Sequence, residues 1–136
     1  MEGRPPQSQD TLINLSAFYF EKGDLEEGMK YFKQLDEKSL EDPSIFYNIG
    51  ILLFKNRQID MAIDYLLKSL AVDPTYVNAY YQLALVYLNK GNLEEAKKNL
   101  KKVIELAPES EAAALAKSML ENTEKKDWTI YSIFWI

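Results

Sequence analysis

Apolar positions recur with helical spacing from residue 10 to about 123, and the whole pattern returns every 34 residues. Lys22-Gly23-Asp24-Leu25-Glu26-Glu27 comes back 68 residues later as Lys90-Gly91-Asn92-Leu93-Glu94-Glu95. The copy between them, Asn56-Arg57-Gln58-Ile59-Asp60-Met61, is weaker but in register, and Pro74 and Pro108 also lie 34 apart. Each period divides into two helices. The pattern predicts helices near 10–21 and 25–37, then 44–55 and 59–71, then 77–89 and 93–106. One more alanine-rich helix over 109–123 has a charged face suited to water and closes the series. No strand–turn–strand signal appears.

The turns carry their own chemistry. Gly23 and Gly91 suit the left-handed residue that ends a helix. Asp24 and Asn92 can cap the helix that follows, with Glu27 and Glu95 three residues on to complete capping boxes. Arg57 stands where the glycine belongs, so the middle turn is expected to be less ideal. Glu26–Lys30 and Glu94–Lys98 are spaced as i,i+4 pairs. A fixed period of this length marks a stack of small units that cannot bury their apolar faces alone. Such stacks offer an extended surface to a partner.

The residues resemble the tetratricopeptide repeat, whose pattern is Trp-x2-Leu-Gly-x2-Tyr, then Ala-x3-Phe, then Pro. The third unit reads Tyr80, Leu83, Ala84, Tyr87, then Ala96 and Leu100, then Pro108. The second reads Phe46, Ile49, Gly50, Leu53, then Ala62 and Leu66, then Pro74. The first reads Leu12, Leu15, Ser16, Tyr19, then Gly28 and Phe32, but carries Leu40 in place of the proline, so the step into unit two is expected to be altered. There Asp42-Pro43 can start the next helix instead. Ser16, Gly50 and Ala84 on one helix, and Gly28, Ala62 and Ala96 on the other, stand where the paired helices must approach closely.

The resemblance implies an all-α, right-handed superhelical solenoid of antiparallel helix pairs. Its repeats are expected at about 9–42, 43–76 and 77–110, with the cap helix at 109–123. A polar lead-in (1–9) precedes the domain (10–127), and an apolar tail (128–136) follows it. In this family the first helix of each pair lines a concave face. On that side fall Ile13, Ala17 and Phe20, then Tyr47, Ile51 and Phe54, then Tyr81, Leu85 and Leu88. These helices are apolar nearly all round, more than a surface helix needs. A groove for an apolar or amphipathic peptide explains the excess, with Tyr47 and Tyr81 as anchors. Contact of these side chains with one another and with the cap helix is the alternative. Asn14, Asn48 and Gln82 share one register position and could form a ladder of amide hydrogen bonds. Co-chaperones of the family grip acidic C-termini with a clamp of Lys, Arg and Asn. Here its positions hold Ile13, Ala17, Asn48, Asn78 and Gln82, of which only Asn48 matches, so the clamp is not expected.

Composition narrows the function classes. A net charge of −5 over 136 residues argues against general nucleic-acid binding. The chain has no histidine and no cysteine, which removes the commonest general base and metal ligand, any thiol nucleophile and any disulfide. No phosphate loop, triad or metal spacing appears, so no catalytic, cofactor or metal site is expected. Lysines 97, 98, 101 and 102 are interspersed with Glu94, Glu95 and Glu105 and read as a solvated face. The start lacks the apolar core of a secretory signal, so a cytoplasmic location is expected, as it would be for a piece of a longer protein.

The tail Trp128-Thr129-Ile130-Tyr131-Ser132-Ile133-Phe134-Trp135-Ile136 is apolar at seven of its nine positions. It is too short to span a membrane as a helix and calls for burial. Trp128, Tyr131, Phe134 and Trp135 are its candidate anchors. The tail can begin the second helix of a fourth repeat, dock in a groove of its own or a neighbouring chain, or be foreign to the repeats. The function expected is that of a protein-binding scaffold or adaptor with a protein or peptide partner. The alternative is self-assembly through repeat ends or the tail.

Overall fold

A computed structural model describes residues 8–124. The lead-in up to residue 7 and the tail 128–136 lie outside the described residues. Seven α-helices follow one another: α1 (Gln9–Glu21), α2 (Leu25–Phe32), α3 (Pro43–Lys55), α4 (Ile59–Val72), α5 (Val77–Lys90), α6 (Leu93–Leu106) and α7 (Glu111–Glu124). No strand occurs among the described residues. Sequential helices pack as the antiparallel pairs α1/α2, α3/α4 and α5/α6, with α7 laid against α6.

The three pairs close with one hydrogen-bond pattern. Gly23 N–H donates to the Phe20 carbonyl and Asp24 N–H to Tyr19; Gly91 and Asn92 repeat this on Leu88 and Tyr87. Arg57 and Gln58 do the same on Phe54 and Leu53, with Arg57 forced to a φ of 63°. Left-handed backbone suits Gly23 and Gly91, at φ 82° and 87°, and strains an arginine. Asp24 and Asn92 accept from the Glu27 and Glu95 N–H groups at 3.1 and 3.2 Å, as expected of caps. The reciprocal half of the expected boxes has no donor left to serve, because the Asp24 and Asn92 N–H groups are already bonded back to the preceding helix. The expected i,i+4 ion pairs are replaced by i,i+3 pairs, Lys30–Glu27 at 3.8 Å and Lys98–Glu95 at 3.2 Å.

Small residues set the closeness of each pair. A methyl on Gly50 would meet Leu66 at 2.9 Å, and one on Gly28 would meet the Phe20 ring at 2.5 Å. Ser16 is fully buried and spends its hydroxyl on the Leu12 carbonyl at 2.7 Å. Three clusters form the core. Leu12, Phe20, Phe32, Leu35 and Leu52 belong to the first; Ile63, Leu66, Leu83 and Val86 to the second; Leu85, Leu88, Leu100, Val103 and Ala116 to the third. The core is therefore a row along the stack, as a solenoid requires.

The step from unit one to unit two departs from the other steps. α2 stops at Phe32, short of the expected residue 37, and a 3-10 turn at Glu37–Ser39 takes over. The Gln9 side chain pairs with the backbone of Asp36 in both directions, at 3.2 Å each, and also donates to Ser39 Oγ. These bonds satisfy Asp36 groups that a longer helix would have paired internally. Glu37 then reaches unit two, where Lys68 donates to it at 2.7 Å and the Tyr65 hydroxyl at 3.2 Å. Asp42 caps α3 through Ser44 N–H, with Pro43 in the first turn, as the sequence suggests.

Candidate functional site

Helices α1, α3 and α5 touch one another along the stack, α1 against α3 and α3 against α5. No contact of comparable extent joins the second helices of successive pairs. α1, α3 and α5 therefore share one side of the stack, called its inner face below. Ile13, Ala17, Tyr47, Ile51, Phe54, Tyr81 and Gln82 are partly exposed on these helices, and Asn14 and Asn48 are exposed.

Three expected groove residues are placed elsewhere. Phe20, Leu85 and Leu88 are each 1% exposed and belong to the core. Phe20 sinks because Gly28 leaves room for its ring; Phe54, at the same register opposite Ala62, stays partly exposed. Leu85 and Leu88 belong to the core cluster that also includes Leu100 and Val103 of α6 and Ala113, Ala116 and Met119 of α7. The usable inner face is thus carried by units one and two and by the first half of α5. The proposed tail anchors Trp128, Tyr131, Phe134 and Trp135 lie outside the described residues.

Tyr47 is the best-defined polar point on this face. Its ring sits edge-on to Tyr76 with centroids 5.5 Å apart. Burial holds its hydroxyl above the ordinary tyrosine value, Tyr76 adds to the rise, and a hydrogen bond with the Gln82 side chain opposes it. Gln82 is therefore engaged by Tyr47, which breaks the symmetry of the expected amide ladder. Asn14 and Asn48 make no side-chain hydrogen bond among the described residues.

The outer face shows features the sequence reading passed over. Met61, Asp64, Tyr65, Leu67, Lys68 and Ala71 line an open hollow on α4, with Leu67 exposed at its edge. Phe18 on α1 is 51% exposed, flanked by Tyr19 and with the Lys22 ammonium 4.6 Å above its ring. Its equivalents in the later units, Leu52 and Val86, are buried at 5% and 0% exposed. Lysines 97, 98 and 102 pair with Glu94, Glu95 and Glu105, as a solvated face would. Among the described residues no cluster of three or more acidic or other metal-binding side chains occurs, and no helix is long and apolar enough to cross a membrane.

With three such helix pairs in place, the family follows. The family model "Tetratricopeptide repeat" matches residues 9–37, 43–76 and 77–110, and the chain belongs to this family. It is a protein–protein interaction module of that family. Among curated proteins it is similar to "Tetratricopeptide repeat protein 8" of Caenorhabditis elegans, 22% identical over 119 residues, covering 86% of this chain and 24% of that protein. It is 29% identical over 77 residues to the "BBSome complex member BBS4 homolog" of Drosophila melanogaster, covering 57% of this chain and 16% of the relative. It is also 32% identical over 71 residues to "Serine/threonine-protein phosphatase T" of Trypanosoma brucei brucei, covering 52% of this chain and 15% of that protein. The chain thus spans about a quarter or less of the length of these relatives. Its fold is similar to a crystal structure of MamA, with a TM-score of 0.72 at 24% identity, covering 96% of this chain and 75% of that one. It is similar as well to the first repeat domain of Spaghetti (RPAP3) bound to the HSP90 peptide SRMEEVD, with a TM-score of 0.66 at 21% identity, covering 85% and 95%.

Proposed function

We propose that the inner face of α1, α3 and the start of α5 holds an apolar or amphipathic peptide segment of a partner protein. The observation that carries this is the set Ile13, Ala17, Tyr47, Ile51 and Tyr81, which stays partly exposed on one face after the core has taken Phe20, Leu85 and Leu88. Exposed apolar side chains gathered on one surface mark interaction sites. Tyr47, Tyr81 and Ile51 are the anchors in this reading, and Asn14 and Asn48 supply hydrogen bonds to the bound backbone.

The ligand differs in charge from the acidic chaperone peptide held by the RPAP3 domain. The positions of the family's carboxylate clamp are Ile13, Ala17, Asn48, Asn78 and Gln82 here, and none is cationic. A display library of uncharged and amphipathic peptides, followed by fluorescence anisotropy on the hits, tests the proposal. Ile51→Asp is expected to weaken a hit about tenfold or more, near 1.4 kcal/mol, with the thermal midpoint little changed. Lys101→Ala on the outer face should leave it alone. Hits that ignore Ile51→Asp and instead require the outer hollow around Leu67 would overturn the reading.

A further inference from the structure

The three helices of the inner face differ in charge. On α1 the stripe that carries Ile13, Asn14 and Ala17 begins at Asp10 and ends at Glu21, which share its helical face at i, i+3, i+4, i+7 and i+11 spacing. One period on, the same positions of α3 read Ser44, Tyr47, Asn48, Ile51 and Lys55. On α5 they read Asn78, Tyr81, Gln82, Leu85 and Asn89. Carboxylates therefore stand at both ends of the α1 stripe and on neither of the other two. Asp10 and Glu21 are exposed, and neither makes an ion pair among the described residues. Lys55 holds the register of Glu21 on the neighbouring helix and leaves it unpaired.

Helix chemistry accounts for only one of these acids. Asp10 lies in the first turn of α1, where the positive end of the helix dipole favours a carboxylate. Glu21 is the last residue of α1, at the negative end, where a carboxylate is disfavoured. At that position α3 has Lys55, the charge the dipole favours. The α1 stripe also carries the smallest apolar side chains of the three. Ala17 stands where α3 has Ile51 and α5 has Leu85, and Ile13 stands where both have a tyrosine. Ala17 is partly exposed, so a long aliphatic stem has room to lie across it, with Glu21 one helical turn away.

We propose that the segment held on the inner face is basic as well as amphipathic, with a lysine or arginine whose stem lies across Ala17 and whose charged head meets Glu21. Such a side chain covers apolar surface along its stem and keeps its head at the carboxylate. Asp10 is about 16 Å from Glu21 along the helix, so a second basic residue of the segment serves it. This rests on the peptide reading of the inner face and names the chemistry of the occupant. Its charge is opposite to that of the peptide SRMEEVD held by the RPAP3 domain.

The test pans the full chain against a display library in which acidic, basic and neutral residues are equally represented, and sorts the hits by whether Ile51→Asp abolishes them. The Ile51-dependent hits are expected to be rich in Lys and Arg. In fluorescence anisotropy, changing the critical Lys of such a hit to Gln should weaken it about threefold, and salt should narrow that difference. Glu21→Gln should remove the preference for that Lys, and Ala17→Leu should weaken the same hit by filling the room for its stem. Asp10→Lys with Glu21→Lys should turn the preference toward acidic peptides. Glu26→Lys with Glu109→Lys alters the net charge equally but lies on α2 and in the turn after α6, so it should leave the basic preference in place. Asp10, Glu21, Glu26 and Glu109 are exposed, and the helical circular dichroism of these variants should match that of the unaltered chain. Ile51-dependent hits without a basic preference, or basic hits indifferent to Glu21 and Ala17, overturn this proposal and leave the peptide reading standing. A basic preference lost equally in the Glu26/Glu109 variant overturns it too, as an effect of net charge. The absence of any Ile51-dependent hit overturns both.

Discussion

The first and third units are built to the same plan and solve it differently. In unit three Leu88 packs opposite Ala96, α6 runs from Leu93 to Leu106, and α7 covers the end. In unit one a phenylalanine, Phe20, takes the place of Leu88, and Gly28 takes the place of Ala96. The larger ring and the missing methyl compensate, and Phe20 reaches the core. α2 is only 8 residues long, and side-chain bonds from Gln9 and to Lys68 and Tyr65 replace the rest of its helix. The repeat thus fixes how much volume must lie between paired helices and leaves open which partner supplies it. It also shows that one register position can be core or surface: Leu52 is 5% exposed and Phe18, before which no helix lies among the described residues, 51%.

That last contrast gives the largest expected effect. Leu52→Ala should destabilise the chain by about 2–4 kcal/mol, the usual loss for a buried leucine. Phe18→Ala, at the same register, should change monomer stability by less than about 0.5 kcal/mol. Urea denaturation of the two variants side by side measures the difference. Equal losses would mean that the α1 face is already covered in the single chain.

The Phe20/Gly28 compensation can be broken next. Gly28→Ala adds a methyl against the Phe20 ring and is expected to cost about 1–3 kcal/mol, although alanine favours a helix interior by about 1 kcal/mol. Adding Phe20→Leu recreates the Leu88/Ala96 pairing of unit three and should recover most of the loss. A double variant no better than Gly28→Ala alone would show that the two positions are not coupled.

The middle turn is expected to respond in the opposite direction. Arg57→Gly relieves a left-handed non-glycine residue and should stabilise the chain by about 1 kcal/mol. Gly91→Ala, which makes the reverse change in unit three at a φ of 87° with open space around it, should lose a similar amount through backbone strain alone. Thermal midpoints of the pair would show whether the three turns share one requirement.

The smallest effect concerns pH. Burial raises the Tyr47 and Tyr65 hydroxyls above the ordinary value of 10.0, with Tyr76 adding to the rise at Tyr47 and Glu37 at Tyr65. The folded chain therefore keeps these protons to higher pH than the unfolded chain does. Their contribution is complete below the ordinary tyrosine value and is lost as pH rises through and above it. Lys68, partly desolvated but held protonated by Glu37 and Tyr65, titrates in the same sense. Stability measured across the alkaline range should fall with pH, and Tyr65→Phe should flatten that fall.

The repeat period, the helix pairs, the capping residues and the small residues at the crossings were all legible in the chain, because each is a local requirement of backbone geometry or close approach. Gly23, Gly91 and Asp42 needed no more than their own neighbours to be placed. The inner face was legible only in part. Periodicity shows that α1, α3 and α5 are apolar all round, but not which apolar side chains the next helix covers. Phe20 went to the core because of the space left at Gly28, and Leu85 and Leu88 because they join one cluster with residues of α6 and α7. The early end of α2 also belongs to tertiary structure, since Gln9, nearly a full period upstream, supplies the hydrogen bonds that let the helix stop. Sequence determined the repeating unit because helix and turn chemistry act over a few residues. Only the stacked structure decided which faces remain for a partner, because exposure depends on what the neighbouring unit covers.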